Sequence, residues 1–188
     1  MQNKKTLGWI VGGVAVAVVV VYLAVTGNVK FSNPGTGGYE GKQTDKGLVA
    51  APGSSPVATS GQVVTPEGKP VKLDVSPMSP EAPQQSAPIK ETQIPKSALK
   101  ITVSSQGFNP NTFTVKAGAP VALSITSGDD QTHVFKFEDP SLSAVAVGVG
   151  PRETRLIPFN APGKGEYIFY CDVPGHKGRG EVGKMVVQ

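Results

Sequence analysis

Few residues in this chain can do chemistry: one cysteine, Cys171, and two histidines, His133 and His176. Cys171 and His176 share one short stretch, Tyr167-Ile168-Phe169-Tyr170-Cys171-Asp172-Val173-Pro174-Gly175-His176. It reads as a strand that delivers a thiol, followed by a tight Pro-Gly turn that carries an imidazole. A soft thiolate and an imidazole on one loop suit copper, above all where a second imidazole joins them, and His133 is the other histidine available. The same groups serve other ends. Cysteine, two histidines and a carboxylate make an acceptable tetrahedral zinc set. A Cys/His pair is also the start of a thiol nucleophile, but no third residue that would orient the histidine accompanies it. Cys171 could equally be a small buried hydrophobe, and His176 an exposed loop histidine beside Lys177 and Arg179.

The elements that must position these side chains follow from the period-two pattern of strands. On the strand before the loop, Tyr167, Phe169 and Cys171 share one face and Ile168 and Tyr170 the other. On an earlier strand, His133, Phe135 and Phe137 share a face, with Val134 and Lys136 opposite. If the phenylalanine face is the core face, Cys171 and His133 both point inward at strand ends, where two facing sheets can hold one metal. Alternation and turn signals predict further strands at Lys100–Ser104, Phe113–Lys116, Val121–Thr126, Thr154–Phe159 and Val182–Val187, with Ser127-Gly128-Asp129-Asp130 as a turn. Short strands divided by turns indicate an all-β sandwich or barrel over residues 98–188.

This arrangement resembles the cupredoxins, the plastocyanin-like blue-copper proteins, over roughly the last ninety residues. In that family a histidine on a strand is followed, near the C-terminus, by Tyr-Cys, a short loop, a histidine and an axial methionine. The resemblance implies a Greek-key β-sandwich and makes His133, Cys171 and His176 the copper ligands. Gly180-Glu181-Val182-Gly183-Lys184 matches the family's Gly-Met-Val-Gly-Lys, so Glu181 stands where the axial methionine is expected. Met185, the nearest methionine after His176, is the alternative axial ligand, although it falls in the last strand, where an apolar core residue belongs. Tyr170, beside the cysteine, matches a tyrosine that offers a second route for electrons. The implied function is non-catalytic: a one-electron carrier with a redox protein as partner. The alternatives are copper storage or delivery, and a structural domain that binds zinc or no metal.

Upstream of this domain the composition changes twice. Leu7–Val25 is an apolar run without charge, long enough as a helix to span a bilayer core of roughly 30 Å, with Lys4 and Lys5 before it. Residues 1–26 are therefore expected to be a membrane anchor that leaves the C-terminal domain outside the cytoplasm, with a cleaved signal peptide and a secreted protein as the rival. Residues 27–97 are rich in Pro, Gly, Ser and Thr, a composition that predicts a disordered linker. Gly61–Val75 alternates only weakly. Nine Lys/Arg against eight Asp/Glu over residues 98–188 leave no basic patch for nucleic acid, and a monomer is expected.

Overall fold

The computed structural model describes residues 50–188. Among them the strands are β1 (Leu99–Ser104), β2 (Gly107–Asn109), β3 (Thr112–Val115), β4 (Pro120–Ser127), β5 (His133–Phe137), β6 (Ala146–Val149), β7 (Thr154–Asn160), β8 (Gly165–Cys171) and β9 (Val182–Val187). They form two sheets, one ordered β2-β1-β4-β7 and the other β3-β9-β8-β5-β6. The pairs β1–β4 and β3–β9 are parallel and the other pairs antiparallel. The all-β sandwich expected from strand alternation is present. Two strands escaped that reading: β2 is three residues long, too short to show a period, and β6 is four residues long with Gly148 inside it.

The core lies between the sheets and is built from alternate residues, as the pleat requires. In β5, His133, Phe135 and Phe137 are buried while Val134 and Lys136 are only half-buried. The Phe169 ring of β8 packs 4.9 Å from Phe135 and 5.1 Å from Phe108 of β2, the latter edge-to-face at 88°. Phe137 in turn stands edge-on to Phe135 at 5.2 Å. Such aromatic pairs add about 0.5–1.5 kcal/mol each beyond simple area burial. Gly183 of β9 lies opposite Phe169, and a Cβ there would run into the phenyl ring, so the absent side chain makes room for the aromatic cluster.

Two expectations are corrected. The disordered linker is wrong for its described part, residues 50–97. Val63 and Ala82 are fully buried, and the backbone is tied to β7, the edge strand of the first sheet. Ser86 N–H donates to Leu156 O at 2.7 Å, Ile89 N–H donates to Thr154 O at 2.9 Å, and the Asn160 side chain bonds both backbone groups of Val63. Further along, Ala144 N–H donates to Leu73 O at 2.8 Å. The prolines prevent a continuous ladder, but they permit single bonds between turns. A segment unable to build a core of its own is held by someone else's edge, and that edge is covered in the process. Weak pairing within Gly61–Val75 survives as the isolated bridge Val64↔Pro70.

The second correction concerns the membrane. The run Leu7–Val25 lies outside the described residues, and among the described residues no helix is long and apolar enough to cross a membrane. The helices present are three-residue 3-10 turns, about 6 Å each, against a hydrocarbon core of about 30 Å. The anchor, the membrane as a partner, the single-pass placement outside the cytoplasm and the secreted alternative are therefore withdrawn.

The extension should contribute measurably to stability. The fully buried Ser86 hydroxyl accepts from Leu156 N–H at 2.9 Å and donates to Ala87 O at 2.6 Å. Ser86→Ala leaves that buried N–H without its side-chain acceptor and should cost about 1–3 kcal/mol, read from urea unfolding midpoints at unchanged slope.

Candidate metal centre

Two strand ends and one loop build the site. β5 places His133 at its first residue, and β8 places Cys171 at its last. The register Phe135↔Cys171 puts both on the core side at the same end of the sheet. After Cys171 the chain makes a turn closed by His176 N–H to Val173 O at 3.0 Å, with Gly175 at φ +83° where a side chain would be strained. A 3-10 turn over Lys177–Arg179 follows, and Gly180 ends it in the left-handed region at φ +99°. Cys171 N–H then donates to Glu181 O at 3.0 Å, which closes the loop at its mouth. The loop thus returns the chain to β9 with His176 and Glu181 both facing Cys171 and His133.

The four side chains offer donor atoms that all lie within 4.8 Å of one another. Glu181 Oε2 is 2.8 Å from His133 Nδ1 and 3.0 Å from His176 Nδ1. Cys171 Sγ is 3.4 Å from His176 Nδ1 and 3.9 Å from His133 Nδ1. Bonds of about 2.0–2.3 Å from one tetrahedral ion would set such atoms roughly 3.3–3.8 Å apart, a range that the separations of 2.8, 3.0, 3.4 and 3.9 Å bracket, so small shifts would seat a metal among them. His133 and Glu181 are fully buried, Cys171 is 1% exposed and His176 9%. His176 is therefore no open loop histidine.

The electrostatics ask for a cation. Burial alone would raise the Glu181 carboxyl, but hydrogen bonds with His133, Cys171 and Arg179 hold it below its ordinary value, so it is ionised. Burial pushes the Cys171 thiol up, against backbone N–H groups of Val134 and Val173 that pull it down. The Val134 N–H lies 3.3 Å from Sγ, ready to stabilise a thiolate once a metal displaces the proton. A carboxylate oxygen, two ring nitrogens and a sulfur facing one another without bulk water are stable only around a proton or a metal ion. Soft sulfur with two imidazoles suits copper, and the residues present fit that ion.

Two residues of the surroundings were not singled out from the sequence. Asp129 Oδ1 lies 3.0 Å from His133 Nε2. Burial alone would raise its carboxyl. The hydrogen bonds from His133 and from the backbone N–H groups of Ser105 and Gln131 overcome that and lower it to about 2. An ionised carboxylate only accepts, so Nε2 carries a proton, and Nδ1, which faces Glu181 and Cys171, is the nitrogen that would bind a metal once one displaces any proton held there. Asp129 had been read as a turn residue, and its position four residues before a candidate ligand histidine was the available signal. The second is Arg179, whose Nη2 donates to Glu181 Oε1 at 2.8 Å. Met185 belongs to the hydrophobic core, paired with Phe113 and Tyr167.

A family model described as a cupredoxin-like domain matches residues 81–187. The chloroplastic plastocyanin of Oryza sativa subsp. indica is 38% identical over 89 residues, 43% of this chain and 54% of that protein. The chain thus spans about half the length of this curated relative. Among solved structures, dithionite-reduced auracyanin from the photosynthetic bacterium Roseiflexus castenholzii is 22% identical. It is matched over 50% of this chain and 98% of its own, with a TM-score of 0.43. Auracyanin A, a "blue" copper protein of Chloroflexus aurantiacus, is 24% identical over 48% of this chain and 99% of its own, with a TM-score of 0.39.

Removing the Asp129 carboxylate should loosen the site without emptying it. Asp129→Ala is expected to weaken metal binding about 10–100-fold, measured by competition with a chelator. The metal-free protein should also lose stability as pH falls from about 4 towards 2. A carboxyl held below its unfolded value contributes above that value and stops contributing once it is protonated in the fold. Asp129→Ala should flatten that part of the curve in acid unfolding.

Proposed function

The chain belongs to the cupredoxin-like domain family by the match over residues 81–187, and on that premise we propose that it is a one-electron carrier whose copper is held by His133, Cys171, His176 and Glu181. The observation that carries the reading is the convergence of a thiol, two ring nitrogens and one carboxylate oxygen in a buried cluster on the cupredoxin frame. Members of the blue-copper family are typically carriers and not catalysts, and the chain is no enzyme. Bound copper supplies a Cu(II)/Cu(I) couple.

The residues of this chain supply the rest. His133 and Cys171 sit at the ends of β5 and β8, which are hydrogen-bonded along their edges to each other and to β6 and β9, so neither can move far when the charge of the site changes. Such fixed donors keep the reorganisation small when an electron arrives or leaves. The cluster is shielded from water except at the His176 side chain, which is 11% exposed and marks the shortest way to a partner. Tyr170 faces away from the site, with its hydroxyl 3.1 Å from Asp172 Oδ1 and Lys177 Nζ 4.7 Å from its ring centre. It offers a second exit along the backbone from Cys171.

Glu181 distinguishes this site from one with a methionine at the same place. A thioether is a weak neutral donor, whereas a carboxylate is hard and anionic, and its charge beside the metal favours Cu(II). The reduction potential is accordingly low for a cupredoxin, and the carrier suits partners that deliver electrons of matching energy. Storage, delivery and purely structural roles have no observation of their own to favour them.

Metal analysis with visible and EPR spectra, followed by reversible redox titration, tests the function. A site that binds copper tightly but does not cycle would refute the carrier. Cys171→Ser should abolish the thiolate-to-copper visible band. Glu181→Met should raise the potential and move the spectrum towards that of a blue site, and no change in either would remove Glu181 from the ligand set.

A further inference from the structure

The two oxygens of Glu181 have separate partners. Oε2 faces the imidazoles, 2.8 Å from His133 Nδ1 and 3.0 Å from His176 Nδ1, while Oε1 accepts from Arg179 Nη2 at 2.8 Å. We propose that Arg179 is a positioning residue that makes Glu181 a one-oxygen donor of reduced charge and thereby sets the reduction potential of the site. The inference rests on the reading of Glu181 as a ligand.

Three features of the structure support it. Glu181 is wholly buried, whereas the Arg179 side chain is 42% exposed, so the guanidinium reaches in from the surface to the far oxygen. Gly180 lies between them at φ +99°, and this left-handed step brings two side chains separated by a single residue onto one another. Arg179 Nη2 also donates to Gln131 Oε1 at 3.2 Å, two residues before His133 on the segment that leads into β5. One guanidinium thus joins the loop that carries His176 and Glu181 to the segment that carries His133.

The chemistry follows from this division. A carboxylate with both oxygens free can swing or chelate through both, and it brings its full negative charge to the metal. With Oε1 engaged in a charge-assisted hydrogen bond, rotation is blocked and part of the charge is drawn outward. Glu181 then binds through Oε2 alone, as a weaker anion than an unpaired carboxylate would be. A hard donor beside the copper would thereby be kept from stabilising Cu(II) so strongly that the electron cannot return.

The test is a double-mutant cycle on the copper-loaded full chain, with the reduction potential and the Cu(II) EPR hyperfine splitting as readouts. Arg179→Gln should favour Cu(II), raising the Cu(II)-to-Cu(I) ratio at fixed potential by about tenfold, or ~59 mV downward for one electron. Arg179→Lys, which keeps the charge, should recover most of the shift. In a Glu181→Gln background, Arg179→Gln should change little. An equal shift in that background would overturn the inference, since Arg179 would then act as a distant charge and not through Glu181. No shift from Arg179→Gln, while Glu181→Gln alters spectrum and potential, would overturn it and leave Glu181 as a ligand. If Glu181→Gln itself changes neither readout, the ligand reading fails and this inference with it.

Discussion

A fully buried carboxylate is expensive, and the neighbourhood of Glu181 is organised around meeting that cost. Unpaired, such a group loses several kcal/mol of hydration that the protein interior does not return. Here one oxygen is answered from the surface by Arg179 and the other faces two imidazoles and a thiol. The inner partners can match the charge only by sharing a proton or by taking up a metal. The fold therefore carries a built-in demand for a cation at one point, and Asp129 repeats the theme a shell further out by fixing the proton on the remote nitrogen of His133.

The sandwich makes that arrangement possible because strand register decides which way side chains point. β5 and β8 are paired with Phe135 opposite Cys171, and the phenylalanines below them fill the space between the sheets. Slipping either strand by one residue would turn His133 or Cys171 to the outer face and bring a half-buried neighbour inward. The hydrophobic core and the metal centre thus specify the same register, each penalising the error that would ruin the other.

How much of this could be read in advance depended on whether the signal was local. His133, Phe135 and Phe137 alternate along one strand, and Cys171 with Phe169 along another, so their shared inward face was visible in the residue order. Glu181 was visible because it fills a position in a motif. Asp129 and Arg179 were not, since their importance depends on loops that fold back: the one beneath β5, the other across a left-handed glycine. The segment before β1 was misread for a related reason. Its prolines and sparse apolar residues say truly that it cannot make a core, but they do not say that the unpaired edge of β7 would take it in. β2 was too short to show a period, and β6, where Val147 and Val149 alternate with Ala146 and Gly148, was too brief for its alternation to stand out.

The parallel pairing of β3 with β9 has a bearing on how the molecule assembles. It joins Thr112 to Lys184 and Val115 to Val187, residues from near the start and the very end of the sandwich. Closing so long a loop costs entropy before any contact repays it, so topologies of this kind are slow to fold compared with chains of local hairpins. β9 also follows directly on the loop that holds His176 and Glu181. The donor set therefore cannot be complete until the C-terminal strand has docked: pairing of β5 with β8 gathers His133 and Cys171, and His176 and Glu181 join them as the chain closes into β9. A four-donor site thus belongs to the docked fold, and a metal would be held in full only by molecules that have closed this long-range pair.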